Sequence, residues 1–246
     1  MKAAVISDIH ANLPALEAVL EAIEESGADE IWCLGDAIGY GASPNECIGI
    51  LEQRCAIWLV GNHDLAALGE IDISSFSPSA AEAALWTREK LSEQASGVLR
   101  GLGGEASGQR EGFGLYHASP RDPVWEYIVE TDLAEDVLNM QEHRISLIGH
   151  SHIALYFMRV DELSRITSEL APDGTRKSLS TGQWLINPGS VGQPRDRDPR
   201  AAWMALDTEN MTADFHRVEY PVEVAAEAIV EAGLPRPLAD RLFQGH

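Results

Sequence analysis

The 246-residue chain is 45% hydrophobic and 23% charged, with a formal net charge of −21. That length and apolar content allow a substantial core and suit one α/β domain spanning residues 1–246 better than two complete ones. The acidic balance excludes a broad electrostatic grip on duplex DNA or RNA, because even two bound dications would offset only four of those charges.

The elements are legible first at the amino-terminal end. Ala3-Ala4-Val5-Ile6 reads as a buried strand, and Asn12 can cap a helix with Leu13, Leu16, Leu20 and Ile23 on one face and Gly27 at its end. A second strand from Glu30 to Leu34 leads to Gly35-Asp36. Ser43-Pro44-Asn45-Glu46 combines a capping box with proline at the first helical position, so the next helix starts there and runs to about Arg54. Ile57-Trp58-Leu59-Val60 supplies a third strand, which makes three βα units by residue 64.

From about residue 65 to 112 the alternation breaks. Ser79-Ala80-Ala81-Glu82 forms another capping box ahead of a helix toward Gln94, and a glycine-rich stretch follows from Gly101 to Gly114. This segment reads as a helical, cap-like insertion beside the site that its flanking residues build. Farther on, Ala154 to Val160, Arg165 to Leu170, Trp184 to Asn187, Ala202 to Asp207 and Met211 to Val218 read as strands of a second, mainly β layer. Asp207-Thr208-Glu209-Asn210 turns the last hairpin, and Val222 to Ala232 is a helix. No apolar stretch reaches the roughly 18 residues of a membrane span, and Met1-Lys2 enters a strand without a signal-peptide core, so a cytoplasmic protein is expected. Cys33, Cys47 and Cys55 are odd in number and lack CxxC spacing, which favours reduced thiols.

Five short polar blocks, each closing an apolar run, carry the chemistry: Asp8-Ile9-His10, Gly35-Asp36, Gly61-Asn62-His63-Asp64, Tyr116-His117 and Gly149-His150-Ser151-His152. In an extended segment residues i and i+2 project to one side, so Asp8 with His10, and His150 with His152, can each serve a shared centre. Carboxylate, imidazole and amide ligands without thiolates suit two divalent ions from among Mn, Fe, Zn, Ni or Co. Asp8, His10, Asp36, Asn62, His117, His150 and His152 are too many donors for one tetrahedral ion, whereas two ions bridged by Asp36 use them all. The remaining histidines, His143, His216 and His246, read as surface residues.

In their order, from Met1 to about Gly192, these blocks resemble the calcineurin-like metallophosphoesterase superfamily. Gly39-Tyr40-Gly41, Pro44-Asn45-Glu46 and Asn187-Pro188-Gly189-Ser190-Val191-Gly192 resemble its small bacterial and archaeal phosphodiesterase branch. The resemblance implies a four-layer αββα fold, with two facing mixed sheets flanked by helices. It also implies that Asp8, His10 and His152 hold one metal and Asn62, His117 and His150 the other, with Asp36 between them. His63 matches the family histidine that sits beside the substrate, and Asp64 the acidic residue after it, which could orient His63.

The phosphatase and dinucleoside-tetraphosphatase branch typically carries Asp-Arg-Gly where this chain has Gly39-Tyr40-Gly41, so a phosphate-clamping arginine is missing. Arg195, in the loop Gln193-Pro194-Arg195-Asp196-Arg197-Asp198-Pro199-Arg200, could replace it in part unless it pairs with the neighbouring aspartates. The expected activity is hydrolysis of a small phosphodiester by a hydroxide bridging the two ions, whose coordination lowers the pKa of water toward about 7. Asn62, His63 and Arg195 would contact the substrate, and His63 would donate a hydrogen bond or proton. The alternatives are a phosphomonoester or phosphoprotein phosphatase and a non-enzymatic binding scaffold, the latter expected to lose ligands that are all present here.

Overall fold

Strand β1 (Lys2–Ile6) buries Ala4 and Ile6 against helices and Ala3 and Val5 against a second sheet, so its alternate side chains enter two different cores. A strand covered on both faces reads as a continuous apolar run, which is why Ala3-Ala4-Val5-Ile6 shows no polar alternation. The computed structural model describes residues 1–246. After β1 come α1 (Leu13–Ser26), β2 (Glu30–Cys33), α2 (Pro44–Arg54), β3 (Cys55–Trp58), α3 (Asn62–Leu68), α4 (Pro78–Lys90) and α5 (Glu93–Gly101). The middle of the chain forms β4 (Ser107–Arg110), β5 (Phe113–Tyr116), α6 (Thr131–Met140), β6 (Ile145–Leu147), β7 (Ala154–Arg159), β8 (Thr167–Leu170) and β9 (Arg176–Ser178). It ends with β10 (Gln183–Pro188), β11 (Ala201–Asp207), β12 (Thr212–Val218), α7 (Val222–Glu231), α8 (Arg236–Asp240) and a 3₁₀ turn at Arg241–Phe243.

Two six-stranded mixed sheets result, in the orders β3-β2-β1-β11-β12-β9 and β4-β5-β6-β10-β7-β8. Strands β1, β2 and β3 run parallel to one another, as do β5, β6 and β10. Trp32, Leu34, Leu147, Trp184, Ile186 and Phe215 are among the side chains filling the space between the sheets. On the outer face of the first sheet the helices meet it through Leu16, Val19, Leu51, Leu99, Ile229 and others, and α6 covers the second sheet through Val137 and Leu138. The four-layer αββα expectation therefore holds, and burial of each such side chain contributes roughly 1.5 to 3 kcal/mol.

The C-terminal strands do not form a second layer of their own. Strands β11 and β12 join the first sheet, with Lys2 opposite Asp207 and Ala4 opposite Ala205, because β1 has a free edge on the side away from β2. Helix starts also differ in one place. Ser77, not Ser79, caps α4 and accepts from the Ala80 amide at 3.3 Å, since Pro78 then occupies the first helical position where its missing N–H costs nothing. The helix expected to continue toward Gln94 stops at Lys90, and Ser92 caps the separate α5. Asn12 and Gly27 bound α1 as the sequence indicates, and the three cysteines are free.

The loop after β10 lies against the loop after β1, where the Gly192 amide donates to the Asp8 carbonyl at 3.0 Å. A Cβ on Gly192 would stand 1.8 Å from the Ile9 carbonyl oxygen, a clash of backbone with side chain that no rotamer relieves. Gly49, inside α2, has nothing within 4 Å of the same added atom. Gly192→Ala should therefore destabilise the protein by about 2 to 3 kcal/mol in urea unfolding, whereas Gly49→Ala should stabilise it by about 0.5 to 1 kcal/mol. Equal midpoints for the two variants would contradict this packing.

Candidate metal centre

The five polar blocks meet at the carboxyl ends of parallel strands from both sheets. Asp8 and His10 follow β1, Asp36 follows β2, Asn62 and His63 follow β3, His117 follows β5, and His150 with His152 follow β6. The backbone there is not extended, contrary to the i, i+2 expectation. Asp8, His10, Asp36, His150 and His152 have φ between 50° and 64°, in the left-handed region. Such a conformation is unfavourable for residues with a Cβ and persists because the surroundings hold it. The two loops brace each other, with the Asp8 and His10 amides donating to the Gly35 and Asp36 carbonyls at 3.0 Å each. Gly35 and Gly61 permit this approach, since an added Cβ would lie 2.8 Å from the Gly61 nitrogen or 2.1 Å from Asp36 Oδ1 respectively.

Two buried triads form, Asp8-His10-His152 and Asp36-His117-His150. Each carboxylate is held by one oxygen and bare at the other. Asp8 Oδ2 accepts from the His150 amide at 3.0 Å and Asp36 Oδ1 from the His63 amide at 2.8 Å, while Asp8 Oδ1 and Asp36 Oδ2 have no hydrogen-bond partner. Asp36 Oδ2 lies 3.6 Å from His10 Nε2 and 3.6 Å from His117 Nε2, midway between the triads. Three of the four triad histidines are oriented from behind through Nδ1, as metal-ligating imidazoles usually are, while His150 turns its Nε2 to the Trp125 carbonyl at 3.2 Å. Nδ1 of His10 faces the Ile38 carbonyl at 3.0 Å, that of His117 the Leu34 carbonyl at 3.0 Å, and that of His152 the Gln193 carbonyl at 2.7 Å. A proton on each Nδ1 leaves Nε2 free to bind a cation. Asn62 Oδ1 stands 3.2 Å from His117 Nε2, beside the second triad.

Burial pushes the Asp8 carboxyl up to about 7, with the His117 charge opposing and the Asp36 charge adding to the shift. Burial, then the Asp64 charge, raises Asp36, and burial holds His10, His150 and His152 well below the usual histidine range. Bare carboxylate oxygens converging with neutral imidazoles make a donor set that fits two divalent cations and leaves their identity open. The seven expected ligands are thus brought together.

His63 stands beside the triads and outside both. Its ring lies 4.9 Å from that of His10, 4.3 Å from Tyr40 and 4.8 Å from Phe76, and its Nδ1 is buried without a partner. Asp64 does not orient it. The Asp64 carboxylate accepts from the amides of Ala37, Ile38 and Gly61 at 3.3, 3.1 and 2.9 Å, so it ties the β2 loop to the start of α3. A pocket of about 510 Å³ adjoins His63, Asn62 and His150, and none of its lining residues is an Asp or Glu. Arg195 lines it and pairs with no aspartate, because Asp196 is taken by Arg217 and Asp198 by Arg200. Phe76, from the expected insertion, forms part of the wall, while α4 and α5 themselves pack on the core through Ala83 and Leu99.

Sequence reasoning missed Tyr127, Trp125 and Arg241 in this pocket, and it placed His246 on the surface without seeing that it is exposed at the pocket rim. No local motif marks any of them. His143 and His216 lie elsewhere, against Gln109 and on the Trp203 ring.

Comparison with known proteins agrees with this geometry. A protein of Methanocaldococcus jannaschii described as uncharacterised is 38% identical over 247 aligned positions, covering 98% of this chain and 97% of its own. The crystal structure of a metallophosphoesterase from Sphaerobacter thermophilus superposes with a TM-score of 0.89 at 37% identity, covering 100% of this chain and 99% of that one. A hypothetical protein from Pyrococcus horikoshii shares the fold, with a TM-score of 0.79 at 21% identity and coverage of 100% and 98%. The model of the calcineurin-like phosphoesterase superfamily domain matches residues 1–211, and with buried Asp and His triads at the strand ends this chain belongs to that superfamily.

Proposed function

We propose that this protein is a dimetal phosphoester hydrolase that acts on small phosphodiesters. The observation that carries the two-ion reading is Asp36 Oδ2, unpartnered and equidistant from the Nε2 atoms of two histidines in different triads. Asp8, His10 and His152 would hold one ion and Asn62, His117 and His150 the other, with Asp36 shared. Bound divalent ions supply an activated water nucleophile and offset charge growing on phosphoryl oxygens.

The remaining chemistry falls to the chain's own groups. His63 faces the pocket between the triads and Tyr40, and its burial favours the neutral ring, which can donate one hydrogen bond to the phosphoryl or leaving oxygen. Arg195 borders the same pocket, with its backbone amide on the His152 carbonyl at 3.1 Å, and can orient a phosphoryl group through its guanidinium. Diester preference rests on Gly39-Tyr40-Gly41. The Tyr40 ring lies 4.7 Å from His10 where the phosphatase branch carries a clamping arginine, and a diester has less charge to clamp.

Three measurements test this reading. Elemental analysis should find about two divalent ions per chain, and Asp36→Asn should lower occupancy of both; a single tightly held ion together with an active Asp36→Asn enzyme rules the site out. His63→Ala should keep most of its metal while kcat falls about 10² to 10⁴-fold, and metal loss without a rate defect would move His63 into the ligand set. In the third measurement, kcat/KM for bis(p-nitrophenyl) phosphate should exceed that for p-nitrophenyl phosphate. Arg195→Ala should weaken transition-state binding by about 1.5 to 3 kcal/mol. A monoester preference across Mn, Ni, Co and Zn would make the protein a phosphatase instead.

A further inference from the structure

Two arginines face one pocket with no Asp or Glu side chain paired to either. Arg195 comes from the loop after β10, and Arg241 from the 3₁₀ turn that follows α8. Both donate to Oε1 of Gln193, at 2.9 and 3.1 Å, so their guanidiniums stand within about 6 Å of each other. Each also lies near the Tyr40 ring, 5.8 and 5.9 Å from its centroid. The chain holds 39 acidic residues against 18 basic ones. Neighbouring Arg200 and Arg217 take aspartate partners from that excess, yet Arg195 and Arg241 take none.

Like charges held this close in a half-buried place repel unless an anion lies between them. Burial, and then the Arg195 charge, lowers the Arg241 pKa, and Arg241 Nε is buried without a partner. The turn that carries Arg241 is fixed to the Arg195 loop. The Arg197 amide donates to the Gly245 carbonyl at 2.9 Å, and a Cβ on Gly245 would lie 2.8 Å from the Asp198 backbone. The pair is therefore a built feature of the pocket, with Arg195 joined by its backbone to the ligand His152 and Arg241 attached beyond it. Phe76 and Trp125, with ring centroids 5.7 Å apart, offer an apolar wall in the same pocket.

We propose that Arg241, with Gln193, forms a subsite for a second anionic group of the substrate, a phosphate other than the reacting one that Arg195 orients. The substrate class is then an organic phosphodiester that bears an additional phosphate on its non-reacting part. This deepens the phosphodiesterase reading above and rests on it for the position of the reacting group.

The test uses manganese-loaded protein and two esters with the same scissile bond: thymidine 5′-(p-nitrophenyl phosphate) with and without a 3′-phosphate. The 3′-phosphate should raise kcat/KM by about tenfold or more, and Arg241→Gln should abolish most of that gain. Arg236→Gln alters an exposed residue of the preceding helix and should preserve the gain. Calorimetric titration with thymidine 3′,5′-bisphosphate and thymidine 5′-monophosphate reads the subsite without turnover and should show the same selectivity. Tighter bisphosphate binding that depends on Arg241, in a protein that hydrolyses neither ester, would sustain the subsite and sink the phosphodiesterase reading. Hydrolysis of both esters with no preference in rate or binding would overturn the subsite alone, as would a preference that survives Arg241→Gln.

Discussion

Asp8 and Asp36 each leave one carboxylate oxygen without a partner where solvent does not reach, and much of the structure is arranged around that electrostatic demand. At an effective dielectric of about 20, a charge 4 Å away is worth roughly 4 kcal/mol, so the placement of each neighbour matters. The chain meets the demand from one side only. Backbone amides of His63 and His150 secure one oxygen of each carboxylate, and the other is aimed at imidazoles that burial keeps neutral. Divalent cations would complete the arrangement; in the chain alone, burial raises the Asp8 and Asp36 carboxyls toward the protonated form.

Aiming those groups requires backbone that is unfavourable in itself. Five of the candidate ligands adopt left-handed φ, and the β1 and β2 loops are braced by amide-to-carbonyl bonds between them. Asp64 belongs to this bracing. Its three amide contacts fix the β2 loop against the start of α3, the helix that begins with Asn62 and His63. The donors come from strand ends of both facing sheets, so they converge on one centre from two sides.

Charge is distributed unevenly around this centre. A chain with a net charge of −21 presents a pocket that has two arginines and no Asp or Glu among its lining residues, so an anion would meet attraction only at the site itself. Long-range steering would oppose the approach of an anion, which places the burden of recognition on contacts made after entry.

The polar blocks at strand ends were legible in the sequence because ligand identity and order are local properties, and all seven donors named from them converge. Helix boundaries set by Asn12, Gly27 and Pro44 were legible for the same reason, since capping acts within a turn. The pairing of β11 with β1 was not, because the apolar pattern of a strand says that it is buried and not which edge it joins. The role expected for Asp64 failed because adjacency to His63 in the chain says nothing about where a carboxylate finds donors. Only the tertiary structure could show that Arg195 escapes Asp196 and Asp198, or that Arg241, some 46 residues later, reaches the same glutamine. Residue type and spacing fix which groups can bind a metal, while the partners of a long side chain depend on which distant segments the packing of two sheets brings within hydrogen-bond reach.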